Sequence, residues 1–378
     1  MTAADSEPAA AASAPPLDLH ADPARLTAAL IDVESVSDHE TPLADLVEQA
    51  LRELAHLSVH RDGDAIVART ELGRAERVIL AGHLDTVPLP STAGARGTVP
   101  SSRVTGEDGE AVLYGRGATD MKGGVAVQLR LAAELSEPVR DITYVFYDHE
   151  EVASAKSGLG RLERSTPELL EADFAVLLEP TDGTVEGGCN GTLRFRISPE
   201  GLAAHSGRAW RGENAIHRLA DVLDVLARYE PATIAVEGLE YREGLNAIRI
   251  QGGTAGNVIP DAASVEINYR FAPDKSLVQA QQHCRDLFPG HDLDFVDLSP
   301  AARPGLDRPA AAAFVAAVGQ EPKPKYGWTD VARFSAMGVP AVNFGPGDAL
   351  LAHTDDEHVT EAAIRQCHRV LLEWLRAA

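Results

Sequence analysis

Short, nearly continuous apolar runs alternate with helix-like stretches along the first half of this chain. The runs Ala65–Ala68, Val78–Leu80, Ile142–Tyr147 and Ala172–Leu178 carry little polar interruption, as strands covered on both faces do. Helix patterns lie around them. The first opens at Asp22-Pro23, where Asp suits an N-cap and Pro the first turn. A second covers Thr41–Leu54, and a third, Met121–Glu134, is entered through a Gly-rich turn. Apolar strands interleaved with helices predict an α/β domain with a mostly parallel central sheet.

The pattern changes near residue 190. Leu193, Phe195 and Ile197 alternate with Thr192, Arg194 and Arg196, the signature of a half-buried antiparallel strand. A helix over Asn214–Arg228, strands over Ala247–Gln251 and Ser264–Phe271, and a helix over Ser276–Leu287 follow. This is a β-α-β-β-α-β order, a small α+β unit of roughly 110 residues. After Pro300 the α/β pattern resumes, with a helix at Pro309–Val318, a strand at Ala341–Phe344 and a last helix at Glu361–Ala377. The expected organisation is one α/β domain, 17–189 and 299–378, interrupted by an inserted α+β domain over 190–298. Residues 1–16 read as a loose tail without the basic and apolar regions of a signal peptide, so no export is expected.

Composition narrows the function classes. Acidic residues outnumber basic ones, 57 to 34, for a formal charge of −23. Such a surface repels polyanions, so neither nucleic-acid binding nor an anionic-membrane role is expected. No apolar run of about 18 residues occurs, so no membrane span is expected. The three cysteines, Cys189, Cys284 and Cys367, are few and far apart, which fits a reducing cytoplasm rather than a disulfide framework.

His, Asp and Glu gather at predicted strand ends. His83 and Asp85 follow the run Val78–Ala81. Two apart on an extended chain, they point the same way, which suits a metal-binding imidazole with a carboxylate beside it. Asp120 ends the Gly-rich turn before a helix and reads either as an N-cap or as a carboxylate bridging two ions. Glu150 and Glu151 close the strand Ile142–Tyr147. Adjacent acids repel, a cost that a cation offsets; a solvated acidic loop is the other reading. Glu179 ends another apolar strand, and His353 follows Phe344-Gly345-Pro346-Gly347. An open α/β sheet places its active site beyond the carboxyl ends of its strands. Mixed His and carboxylate donors suit Zn²⁺, with Co²⁺ or Mn²⁺ also admissible.

These segments resemble the M20 family of co-catalytic metallo-amidohydrolases. The resemblance rests on His83-Leu84-Asp85-Thr86-Val87-Pro88, Gly115-Arg116-Gly117-Ala118-Thr119-Asp120-Met121-Lys122-Gly123-Gly124, Glu150-Glu151, Glu179-Pro180 and His353. It implies that His83, Asp120 and Glu179 hold one zinc ion and that Asp120, Glu151 and His353 hold a second. Asp85 would support His83, and Glu150 would be the general base. The inserted domain would be a lid and dimerisation domain. Its His205 would reach the partner subunit's site and hydrogen-bond the scissile carbonyl, and Asn257 would help bind substrate there. Arg270, and Thr329 in Lys325-Tyr326-Gly327-Trp328-Thr329-Asp330, would contact substrate.

Within the family the chain is most similar to the branch that releases succinate from N-succinyl-LL-2,6-diaminopimelate. A cytoplasmic homodimer acting on an N-acyl diamino acid is therefore implied. Acetylornithine deacetylases, other N-acyl-amino-acid hydrolases and dipeptidases of the same family remain as alternatives. A basic pair common in that branch is replaced here by Cys189-Asn190.

Overall fold

The computed structural model describes residues 15–106 and 109–377. Most of the expected tail therefore lies outside the described residues. The chain builds an eight-stranded sheet and, beside it, a four-stranded antiparallel sheet. In the large sheet the strand order is 58–62, 65–69, 141–147, 77–83, 174–177, 341–343, 186–187 and 323–324. The four central strands, Asp141–Tyr147, Arg77–His83, Phe174–Leu177 and Ala341–Asn343, are mutually parallel. Antiparallel pairs occur toward both edges. The architecture is thus the expected α/β one.

The apolar runs are explained by two-sided burial. Along Arg77–His83, Val78 and Leu80 join one core cluster and Ile79 and Ala81 join the other. Helices Pro23–Ile31, Thr41–Arg52, Gly123–Glu134, Pro309–Val318 and Glu361–Arg376 supply the first cluster. Gly158–Ser165 and Val331–Ala336 supply the second. The first helix begins as its sequence suggests, with the Asp22 carboxylate accepting from Ala24 N–H and Pro23 in the first turn.

The four-stranded sheet runs in the order Gly244–Gly252, Ala263–Phe271, Gly191–Ile197 and Asp294–Ser299. Leu193, Phe195, Ile197, Val265, Ile267, Tyr269 and Phe271 pack beneath helices Ala220–Arg228 and Leu277–Leu287. The alternating residues Thr192, Arg194, Asn268 and Arg270 face away from that core and line the large cleft. Two chain segments link the sheets, and they hydrogen-bond to each other through Cys189 and Ala302 (3.0 and 3.1 Å).

Some elements differ from expectation. The third helix starts at Gly123, because Asp120 and Met121 leave helical geometry to form a tight turn. The Asn214–Arg228 stretch is a 3₁₀ turn, His217–Leu219, followed by Ala220–Arg228. The hairpin of Thr233–Val236 and Leu239–Arg242, and the small sheet of Ser102–Thr105, Ala111–Tyr114 and His358–Thr360, were not anticipated. Strands of three or four residues carry too few alternations to signal themselves. Among the described residues no helix is long and apolar enough to cross a membrane. The three cysteines are buried and unpaired.

Candidate metal centre

His83, Glu150, Glu151 and Glu179 sit at or just beyond the ends of core strands, whereas Asp120 and His353 lie on turns or loops between strands. His83 is the last residue of Arg77–His83 and is buried. Its Nδ1 lies 2.9 Å from the Asp85 carbonyl oxygen, which fixes the ring and turns Nε2 toward Asp120 Oδ1 at 3.1 Å. The other Asp120 oxygen, Oδ2, lies 3.4 Å from His353 Nε2, and that nitrogen is 2.9 Å from Glu151 Oε1. One carboxylate thus presents one oxygen to each imidazole. His353 occupies a left-handed backbone conformation (φ 64°). Such a residue persists where its surroundings over-determine it, commonly at functional sites.

Glu150 and Glu151 are positioned through Asp85, which is completely buried. Asp85 Oδ1 accepts the Glu150 N–H (2.9 Å); Oδ2 accepts the Glu151 N–H (3.1 Å) and the Ser37 hydroxyl (2.7 Å). The Asp85 carboxylate lies beside His83 as expected, with Oδ1 3.6 Å from the ring Nδ1, but the hydrogen bond to the ring comes from the Asp85 backbone oxygen. The Asp85 backbone orients His83, and the carboxylate orients the Glu150-Glu151 turn. Glu179 is held by close backbone packing. A Cβ on Gly124 would stand 2.2 Å from Leu178 O, and one on Gly345 2.5 Å from Glu179 O. Only glycine permits that approach from both sides.

The electrostatics of the cluster call for a cation. Among the described residues, Glu179 Oε1 is buried without a hydrogen-bond partner. Burial first, and then the Asp120 charge, push Glu179 up to about 7. Burial likewise raises Glu150 and Glu151, with neighbouring carboxylates adding to it. Burial disfavours charge on His83, yet Asp120, Asp85 and Glu179 lift it well above the usual imidazole range. Hydrogen bonds to Asp120 and Glu151 carry His353 up to about 10. Ligand atoms of His83, Asp120 and Glu151 all lie within 4.8 Å of one another. Imidazole and carboxylate donors converging on a shared point, with an unpartnered buried oxygen beside them, fit a divalent cation.

The profile of peptidase family M20/M25/M40 matches residues 79–377. The chain belongs to this family. It is 53% identical over 362 residues to a Mycobacterium tuberculosis protein provisionally named succinyl-diaminopimelate desuccinylase DapE, covering 95% of this chain and 99% of that one. It is 42% identical over 372 residues to the succinyl-diaminopimelate desuccinylase of Corynebacterium glutamicum, covering 96% and 98%. Among solved structures, a tripeptidase from Staphylococcus aureus superposes with a TM-score of 0.74 at 20% identity, covering 94% of this chain and 97% of that one. The Bacillus subtilis YXEP protein, described as a dinuclear metal-binding M20 peptidase, superposes at 0.69 and 17% identity, covering 94% and 97%. At such identities these two likenesses concern the fold.

A cleft of about 1020 Å³ runs between the large sheet's strand ends and the polar face of the four-stranded sheet. Asp120, Glu150, Glu151, Glu179, His353, Arg270 and Thr329 all line it. His83 and Asp85 lie behind it, buried. Thr329 is only 4% exposed, and its hydroxyl donates to Asn343 Oδ1 (2.9 Å). His205 and Asn257 do not line the cleft. They sit together on the surface, where Ala204–His205 pairs with Val258–Ile259 and the Ser206 N–H donates to Asn257 O (2.9 Å). Trp328 also lines the cleft, whereas Trp210 is 80% exposed elsewhere.

The sequence reading missed Lys325, Glu357 and Arg116 as site-supporting residues. Lys325 lines the cleft, with Nζ 2.9 Å from Glu186 Oε2. Glu357 and Arg116 form a buried ion pair (2.8 Å). Arg116 and Lys325 lay inside the motif segments 115–124 and 325–330, and Glu357 signalled itself only by lying four residues after His353.

A pH dependence follows for metal-free protein. Glu179 titrates near 7 in the fold against 4.5 ordinarily. A raised acid pKa stabilises the fold below the ordinary value, and the benefit is lost as pH climbs through the raised one. Chelated protein should therefore lose on the order of 3 kcal/mol between pH 5 and 8 from this group. His353, raised from 6.5 to about 10, acts in the same direction from about pH 6.5 upward. Asp120 is held below its ordinary 3.8, so its contribution changes outside this window. Thermal unfolding at both pH values, with and without chelator, is the check. The same pH slope in both samples would refute the assignment.

Proposed function

We propose that the protein hydrolyses the amide of N-succinyl-LL-2,6-diaminopimelate, giving succinate and LL-2,6-diaminopimelate, as a cytoplasmic, two-zinc homodimer. The observation that carries this reading is the pairing, in one cleft, of a half-buried carboxylate and a guanidinium that are both unpaired among the described residues. Glu150 stands beside the ligand cluster, and Arg270 crosses from the opposite sheet with no salt-bridge partner among the described residues. An amidohydrolase for an acyl group that itself ends in a carboxylate needs both. The names of the two relatives above support the same substrate.

In this reading His83, Asp120 and Glu179 hold one Zn²⁺, and Asp120, Glu151 and His353 hold the other, with Co²⁺ as a substitute. When bound, the ions lower the pKa of water and polarise the amide carbonyl. Glu150 takes the proton from the attacking water as the C–O bond forms, and returns it to the amine nitrogen as the C–N bond breaks. Asp85 keeps the Glu150 backbone still during this exchange. Arg270 receives the succinyl carboxylate as a charge-assisted pair. The unit 190–298 acts as lid and dimerisation domain, with the partner's His205 donating to the developing oxyanion, a contribution of roughly 3 kcal/mol, and the partner's Asn257 beside it.

Turnover on N-succinyl-diaminopimelate should exceed that on N-acetylornithine by at least tenfold in kcat/KM. Arg270→Met should raise KM for the succinyl substrate by about 10- to 100-fold, the worth of one hydrogen-bonded charge, and change kcat less. Equal turnover of the two substrates by the parent enzyme would point instead to a broader N-acyl-amino-acid hydrolase.

A further inference from the structure

We infer that the buried Arg116–Glu357 ion pair is a positioning clamp, which fastens the loop carrying Asp120 to the loop carrying His353 and so sets the spacing of the two metal subsites. The inference rests on the metal-centre reading above, with Asp120 shared between the ions.

Glu357 is 1% exposed, and neither it nor Arg116 lines the cleft. One carboxylate oxygen, Oε1, accepts the backbone N–H groups of Thr119 and Asp120, both at 3.1 Å. The other, Oε2, accepts Arg116 Nη1 at 2.8 Å, and the same Nη1 reaches the carbonyl oxygen of Thr354 at 3.3 Å. The pair thus grips the backbone of the shared ligand at one end and the residue after His353 at the other. The partners are 241 residues apart in sequence, so no local chain geometry enforces this contact. Two more bonds close the seam. The Gly115 N–H donates to Glu357 O (3.1 Å), and the Thr119 hydroxyl donates to His358 O (2.6 Å).

A carboxylate is the group this position needs. It accepts from two N–H donors and a guanidinium at once, and has no proton to place against them. Glutamine has one accepting oxygen and one NH₂. It leaves either the Thr119 and Asp120 N–H groups or the Arg116 guanidinium facing donors. Because Asp120 offers an oxygen to both imidazoles, a shift of its backbone disturbs both subsites. A change at Glu151 or Glu179 would disturb one.

The test is Co²⁺ titration of chelated protein, followed by visible absorption and calorimetry and needing no substrate. Glu357→Gln should weaken both binding steps by about tenfold or more, the usual scale for groups that orient metal ligands. Arg116→Lys keeps both charges, but its Nζ stops one bond short of the position of Nη1, which makes both the Glu357 and the Thr354 contacts. Glu357 keeps its hold on the Thr119 and Asp120 N–H groups, so the change should weaken mainly the step that includes His353. Should Glu357→Gln fail to fold, Arg116→Lys decides the question. Binding within twofold of the parent at every step, or a fall in Tm with unchanged Co²⁺ affinity and spectrum, would overturn the inference. A parent protein that binds no Co²⁺ would overturn the metal-centre reading itself.

Discussion

Glu150→Gln should retain its metal ions and lose about 10²- to 10⁴-fold in kcat, the ordinary contribution of a positioned proton-transfer group. Glu150 lines the cleft beside Glu151 and Glu179, and among the described residues its carboxylate has no salt-bridge or hydrogen-bond partner that would occupy it. The Glu150 N–H is fixed on Asp85 Oδ1, so the side chain is delivered to one place. Burial, followed by the charges of Glu179 and Glu151, raises its pKa well above the usual carboxylate range. Bound cations would offset the part due to the neighbouring carboxylates, and the part due to burial would leave a stronger base than an exposed carboxylate. Glutamine has nearly the same volume, so the metal content measured on purified protein should match the parent. Turnover close to the parent, with metal present, would sink the assignment of the base.

Asp85→Ala should be the most destabilising substitution outside the proposed ligand set. It removes the acceptor for two buried backbone N–H groups and for the Ser37 hydroxyl. Each orphaned buried donor costs about 1–3 kcal/mol, so a loss on the order of 3–5 kcal/mol is expected in urea unfolding. Activity should fall by more than tenfold beyond any unfolded fraction, because Glu150 and Glu151 lose a common anchor. Asp85→Asn, which keeps one accepting oxygen, should fall between the two. An Asp85→Ala protein with parental stability and kcat would show that the Glu150-Glu151 turn holds its shape unaided.

Much of the fold was legible because its signals are local. Val78–Leu80 and Ile142–Tyr147 are apolar on both faces, Thr192–Ile197 alternates, and Asp22-Pro23 announces a helix start. Each is a pattern within a few residues. The short strands at the sheet edges, such as Glu186–Gly187 and Lys323–Pro324, exist because neighbours pair with them, and a two-residue segment has no periodicity to read. The same division runs through the site. His83, Asp120, Glu150, Glu151, Glu179 and His353 stood out as chemical residue types at predicted strand ends, and all but the buried His83 line one cleft. Asp85 was noticed for its spacing from His83, yet its carboxylate serves Glu150 and Glu151, some 65 residues away.

What the sequence determined by itself is the set of donors and the α/β framework that carries them, since residue type and hydrophobic period are properties of short segments. Only the tertiary structure decided which oxygen of Asp120 faces which imidazole, that Arg270 lacks a salt-bridge partner among the described residues, and that Glu357 holds the Asp120 backbone. These are contacts between segments tens to hundreds of residues apart. Packing selects them when the chain closes, and no local pattern encodes them.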